Sequence, residues 1–185
     1  MYKTICITNR HLVVGDFLQQ IERVSGLKPY RIILREKDLT ESEYFTLTEK
    51  VLDICKKYDV QLCCHKFVNV ALELGVKAIH LPMENLKNMT PKEKGFFQEI
   101  GASTHSVEQA VTAENLGATY ITVSHIFPTK CKANLPPKGL DLIKDVKRNV
   151  AVPVYALGGI NENNAELCIQ AGADGVCIMS GFMEG

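Results

Sequence analysis

Short apolar runs alternate with longer amphipathic ones from end to end of the chain, the pattern of strand and helix units wound around a parallel sheet. The strand-length runs cover residues 2–8, 30–34, 61–65, 78–81, 99–103, 120–124, 152–157 and 175–179, eight in all. Between them lie segments such as 42–57 and 68–74, where apolar residues recur at three- and four-residue spacing and predict helices. Thr40 followed by Glu43, and Ser106 followed by Gln109, read as capping boxes that open the second and fifth helices. Segments 71–79, 116–121 and 171–176 repeat one punctuation, with Gly75, Gly117 and Gly172 at the helix C-terminus just before the next strand. Repeated joints of this kind favour an α/β fold closed as a (β/α)8 TIM barrel. An open, flavodoxin-like doubly wound sheet is the alternative, but eight strands exceed its usual number.

Length and charge narrow the class. At 185 residues the chain is long enough for one domain, read as 1–185, and too short for two ordinary ones. Lys+Arg and Asp+Glu both number 21, so the total implies no basic face for nucleic acid or membrane, and any bound anion must be held locally. No apolar stretch approaches the roughly 20 residues that span a bilayer, and the first residues lack a signal peptide's long apolar region. A cytoplasmic location is the default expectation. Seven cysteines, none in C-x-x-C spacing, read as reduced, mostly buried thiols. Cys131 is set apart by Lys130 and Lys132, whose charges would lower its pKa, but it reads first as a spectator thiol in a loop.

After the eighth strand only Ser180 to Gly185 remain, so helix 8 is expected to be missing or reduced to a stub. The apolar surface beside strands 8 and 1 then calls for a cover, and a homodimer is the expected one.

Barrel chemistry sits at the C-terminal strand ends and the loops after them. There the chain offers Arg35 and Lys37, His65 and Lys66, His80 to Asn85, Ser103 to His105, and Ser124 to Lys132. The pair Gly158 and Gly159 closes the list with Ser180 and Gly181. Paired glycines between a strand and a helix let backbone N–H groups approach a phosphate, and the helix start would add its dipole. Ser180 and Gly181 would complete that cradle; the alternative is a tight turn that needs positive φ and nothing more. The loop from His125 to Gly139 is longer than the connection requires and reads as a lid or substrate loop. His125, at a strand end facing the proposed phosphate site, is the candidate general acid/base; its alternative is a satisfied core imidazole. His80 reads first as structural, and His105 as a residue orienting the Ser103-Thr104 loop.

Six segments in order resemble the thiamine phosphate synthase/TenI superfamily: Leu34-Arg35-Glu36-Lys37-Asp38, residues 71–81, 101–106, 120–129, 156–161 and 171–180. The resemblance covers nearly the whole chain and implies enzymes acting on a small-molecule thiazole phosphate. In the synthase, magnesium bound by two aspartates holds a diphosphate leaving group. At those two places this chain reads His65-Lys66-Phe67 and Pro82-Met83-Glu84-Asn85. An ammonium cannot coordinate magnesium, and an amide oxygen is a weaker ligand than carboxylate. The synthase's glutamine before L-R-E-K is here Ile33. Arg35, Lys37, Ser103 and Lys132 stand at positions that contact diphosphate in the synthase, so the resemblance makes them substrate-binding candidates, and Lys66 a candidate stand-in for metal charge. For Arg35 and Lys37 the alternative is an exposed charged loop that includes Glu36. The TenI tautomerase carries a histidine in a G-H-V-F-x-x-x-C-K pattern that Ser124-His125-Ile126-Phe127 to Cys131-Lys132 is similar to.

The leading expectation is therefore a TenI-type isomerase. His125 would move a proton to aromatise a carboxylated thiazole phosphate, Gly158, Gly159 and Ser180 would hold phosphate, and no metal or cofactor would be needed. A thiamine phosphate synthase, active or degenerate and then using magnesium, and a regulatory barrel that binds a phosphorylated ligand without turnover are the alternatives.

Overall fold

The structure is a computed structural model that describes residues 2–129 and 134–184. Eight parallel strands close a barrel in sequential order: β1 (Lys3–Ile7), β2 (Arg31–Leu34), β3 (Gln61–His65), β4 (Ala78–Pro82), β5 (Glu99–Thr104), β6 (Tyr120–Ser124), β7 (Val154–Leu157) and β8 (Gly175–Ile178). β8 returns to pair with β1 through Lys3 and Gly175, so no sheet edge is left open. Closure excludes the open doubly wound alternative. β7 starts two residues later than the apolar run because Pro153 has no N–H to donate to a ladder.

Among the described residues the helices are α1 (Phe17–Gly26), α2 (Glu41–Tyr58), α3 (Val68–Glu73), α4 (Met83–Asn88), α5 (Pro91–Phe96), α6 (Val107–Asn115), α7 (Gly139–Asn149), α8 (Ala165–Gln170) and α9 (Ser180–Met183). The Thr40 box forms as expected, with Glu43 Oε2 accepting from Thr40 N at 2.8 Å and Thr40 Oγ1 from Glu43 N at 3.3 Å. The Ser106 box is only half made. Ser106 Oγ accepts from Gln109 N at 3.2 Å, but Gln109 Oε1 accepts instead from His105 N at 2.8 Å. An unexpected pair of short helices follows β4, and Thr90 and Glu93 cap the second of them, with Pro91 in its first turn. Gly75, Gly117 and Gly172 carry φ of 72°, 94° and 106°, the left-handed helix ends that the repeated joints predict.

Neighbouring residues along a strand divide between two cores. Cys6, Ile32, Leu34, Cys64, Ile79 and Leu81 face the helices, whereas Ile5, Ile7, Ile33, Cys63, Tyr120, Tyr155 and Cys177 fill the barrel. Each large side chain buried this way contributes about 1.5–3 kcal/mol. Six cysteines are buried and unpaired, as a reduced interior requires, while Cys131 lies outside the described residues. At the floor of the barrel Arg31 is 1% exposed, pairs with Glu99 and lies with its guanidinium carbon 4.5 Å from the Tyr120 ring centroid.

The chain end after β8 folds as α9, a helix of four residues, tied to α1 where Gln20 and Arg23 donate to the Phe182 carbonyl. Beside it a groove of about 850 Å³ runs along Tyr2, Thr4, Leu27, Tyr30, Ile178 and Phe182. No helix among the described residues is long and apolar enough to cross a membrane.

Candidate active site

The C-terminal mouth of the barrel opens into a cavity of about 670 Å³. Arg35, His65, His80, Ser103, His125, Gly158, Gly159 and Ser180 line it, so most of the strand-end residues singled out from sequence converge. Ile7, Leu12, Ile33, Leu157 and Met179 supply an apolar lower wall, suited to a flat heterocycle. Glu184 is the acidic side chain in the wall among the described residues; it stands exposed at the rim.

The loops after β1 and β2 are joined by a buried carboxylate. Glu36, read from sequence as part of an exposed charged loop, is 2% exposed. It accepts from Thr8 Oγ1 at 2.7 Å and from Arg10 N and Arg10 Nη1, both at 3.1 Å. Arg10 continues to Asp38, and His11 Nε2 reaches the same carboxylate at 3.0 Å. Arg10 first and His11 second hold the Asp38 carboxyl well below the usual range. Because Glu36 turns toward β1, Arg35 faces the cavity, its N–H donating to Thr8 Oγ1 at 2.9 Å. Lys37 on the far side of Glu36 is exposed and does not line the cavity, which removes it from the set that meets there. Lys132 lies outside the described residues.

His125 is 3% exposed and lines the cavity. Its Nε2 lies 3.2 Å from the Leu135 carbonyl, an atom that can only accept. In the neutral ring Nε2 therefore carries the hydrogen and Nδ1 the lone pair. The described part of the long loop folds back here, with Lys138 N donating to the His125 carbonyl at 2.9 Å and Gly139 N to Ile126 O at 3.1 Å.

The glycine pair is explained by packing as well as by turn geometry. Gly158 and Gly159 have φ of 103° and 66°. A Cβ on Gly158 would lie 2.3 Å from His125 Cβ, and one on Gly159 would lie 2.3 Å from Pro128 O. The pair thus lets the loop after β6 lie directly against the loop after β7. The expected helix dipole is not aimed at this turn, since α8 begins only at Ala165. Residues 161–164 intervene as an asparagine-bonded turn, Asn161 N donating to Asn164 Oδ1 at 2.9 Å and Asn164 Nδ2 to Gly159 O at 2.9 Å.

His80 points into the barrel, 3% exposed. Its Nε2 lies 2.9 Å from Ser103 Oγ and its Nδ1 3.0 Å from the Tyr120 hydroxyl. Burial, then the charges of Arg31 and Arg35, push its pKa down to about 3. Burial, followed by the neighbouring His80, pushes His65 down to about 2; both rings are neutral at ordinary pH. His105 reaches across to the end of β6, its Nδ1 lying 3.0 Å from both the Ser124 carbonyl and Ser124 Oγ. Sequence reasoning missed Tyr120 and Arg31. They begin strands buried on both faces, where no polar alternation marks the inward side.

The places where the resemblance puts magnesium ligands do not suit a divalent ion. Lys66 is exposed, its Nζ lying 5.4 Å from the Phe67 ring centroid, and neither it nor Asn85 lines the cavity. The Lys66 side chain is thus not part of the cavity wall, although its charge, with those of Arg35 and Lys37, acts on the His65 ring that is. Among the described residues no three His, Cys, Asp or Glu side chains cluster closely enough to hold a metal.

Comparison with known proteins adds to this picture. A curated relative from Aquifex aeolicus, provisionally named thiamine-phosphate synthase 2, is 35% identical over 178 residues, covering 96% of each chain. Thiamine-phosphate synthase of Clostridium acetobutylicum is 30% identical over 184 residues, covering 98% of this chain and 87% of that one. The solved structure of thiamine phosphate pyrophosphorylase from Pyrococcus furiosus matches with a TM-score of 0.84 at 26% identity, covering 100% of this chain and 88% of that chain. All three are synthase or pyrophosphorylase names, and they fit the synthase alternative better than the tautomerase expectation. Residues 4–182 match the family described as thiamine monophosphate synthase (TMP-TENI). By this match, and by relatives at 30% identity or more over nearly its whole length, the chain belongs to the thiamine monophosphate synthase/TenI family.

Proposed function

We propose that the chain is an enzyme of thiamine biosynthesis that aromatises a carboxylated thiazole phosphate by a proton shift at His125. The observation that carries this reading is an imidazole on the cavity wall, hydrogen-bonded through Nε2 so that Nδ1 holds the lone pair. In the forward step Nδ1 takes a proton from carbon, and the electron pair of the broken C–H bond enters the conjugated ring. The imidazolium then returns a proton at the other end of that system, so no electrons are gained or lost. Arg35 and Ser103 would hold the substrate carboxylate. Main-chain N–H groups at Gly158 and Gly159, with the Ser180 hydroxyl, would hold the phosphate. This chemistry needs no metal.

The second reading is the synthase, favoured by the names of the relatives. One assay separates them. Incubation with the carboxylated thiazole phosphate alone is expected to give the aromatic isomer, read from the ultraviolet spectrum. Pyrophosphate release from pyrimidine diphosphate and thiazole phosphate, with no isomerisation of the first compound, would reject the proton-shift reading for the synthase. We also propose that a second copy covers the groove beside β1 and β8. A homodimer is expected in sedimentation at micromolar concentration, and a monomer there would contradict it.

A further inference from the structure

Behind the cavity runs a polar chain that the proton shift at His125 does not use. Arg31 lies under the Tyr120 ring, the Tyr120 hydroxyl lies 3.0 Å from His80 Nδ1, and His80 Nε2 lies 2.9 Å from Ser103 Oγ. His80 and Ser103 both line the cavity wall, and Ser103, on β5, ends the chain there. Room for the chain is built into the fold. A Cβ on Gly101 would lie 2.4 Å from His80 Nδ1 and 2.1 Å from Tyr120 Cζ, so any other residue there would break the contact.

We propose that this chain is polarised in one direction, Tyr120 donating to His80 and His80 to Ser103, so that the Ser103 hydroxyl is fixed as a donor toward an anionic oxygen of the ligand. Rejecting the opposite order rests on counting hydrogens. A neutral imidazole has one N–H, so if Nδ1 donated to Tyr120, the phenol hydrogen would be left with Cys63 Sγ at 3.6 Å. Thiol sulfur is a weak acceptor compared with imidazole nitrogen. That order would also turn the positive end of the imidazole dipole toward the buried Arg31 cation, whereas the proposed order points every donor away from Arg31 and toward the cavity. The burial and nearby guanidinium groups that keep His80 neutral leave it able to accept at Nδ1 and donate at Nε2 at the same time. Thr122 Oγ1, 3.5 Å from Nε2, can share that hydrogen as a second acceptor. With its oxygen accepting from His80, Ser103 has its own hydrogen to give. His80 and Tyr120 are positioning residues in this scheme, since neither is required to touch the ligand.

The inference rests on the cavity being the ligand site, but its decisive readout does not depend on turnover. Long-range 15N–1H correlation spectra of protein labelled at histidine distinguish the two neutral tautomers, and His80 is assigned by the signal lost in His80→Gln. His80 is expected in the Nε2–H form, and Tyr120→Phe is expected to keep that tautomer, since Nε2 retains its acceptors, while moving the Nδ1 resonance as that lone pair loses its hydrogen bond. Thiazole phosphate, used as the probe, is expected to bind Tyr120→Phe and Ser103→Ala about tenfold more weakly, the loss of one hydrogen bond to a charged group. An Nδ1–H tautomer of His80 in the parent protein would overturn the proposal, whether or not the variants fold. So would an Nδ1 resonance that Tyr120→Phe leaves unmoved. A parent that fails to bind the probe but holds the Nε2–H tautomer would overturn the proposed function and still support the polarised chain.

Discussion

Replacing His125 by asparagine is expected to lower the rate of aromatisation by about 10²- to 10⁴-fold, the usual contribution of a positioned general acid/base. Affinity for thiazole phosphate should stay within a few-fold of the parent. Asparagine keeps a polar group at the end of β6 but cannot accept and return a proton. His125 packs through its Cα and Cβ against Gly158, and those atoms are retained. A loss confined to turnover therefore points to chemistry, while loss of binding would point to a collapsed cavity. A variant that isomerises as fast as the parent would sink the mechanism. If the parent binds the thiazole phosphate but turns over neither it nor the synthase substrates, the chain is a regulatory barrel.

The largest expected effect on stability comes from one added methyl group. Gly158→Ala would place a Cβ 2.3 Å from His125 Cβ and 2.7 Å from His125 Cα, at a φ of 103° that side chains rarely adopt. The backbone strain costs about 1–3 kcal/mol, and the overpacking about as much again. The melting temperature should fall by roughly 5–20 °C for a domain of this size. Activity should fall further than stability accounts for, because relief of the clash must move the backbone that carries His125. Differential scanning calorimetry and isomerase assays well below the variant's melting temperature read the two effects separately. A variant with the parent's melting temperature and rate would show that the loops after β6 and β7 do not press on each other.

Gly158 and Gly159 show how a site can be legible in sequence for an incomplete reason. The pair was readable as a turn that brings backbone close to something, and an anion was the natural guess. In the folded chain the nearest atoms belong to His125, Phe127 and Pro128, so the same glycines also set His125 against the proposed phosphate subsite. Glu36 misled in the opposite way. Among charged neighbours it looked exposed, and only the meeting of the β1 and β2 loops supplies the Thr8 and Arg10 donors that let a carboxylate be buried.

The six motif segments identified the family by resemblance, and by itself the sequence determined the eight strands and the left-handed helix ends at Gly75, Gly117 and Gly172. These depend on local periodicity and turn chemistry, which short stretches of chain carry in full. Tertiary structure alone decided that Lys37 and Lys66 stay outside the cavity, that α8 starts too late to aim at the Gly158 turn, and that Arg31, Tyr120, His80 and Ser103 stand in line. Strands buried on both faces show no alternation from which to read the inward side. Which side chains meet inside a barrel follows from the stagger between strands, and residues distant in the chain set that stagger.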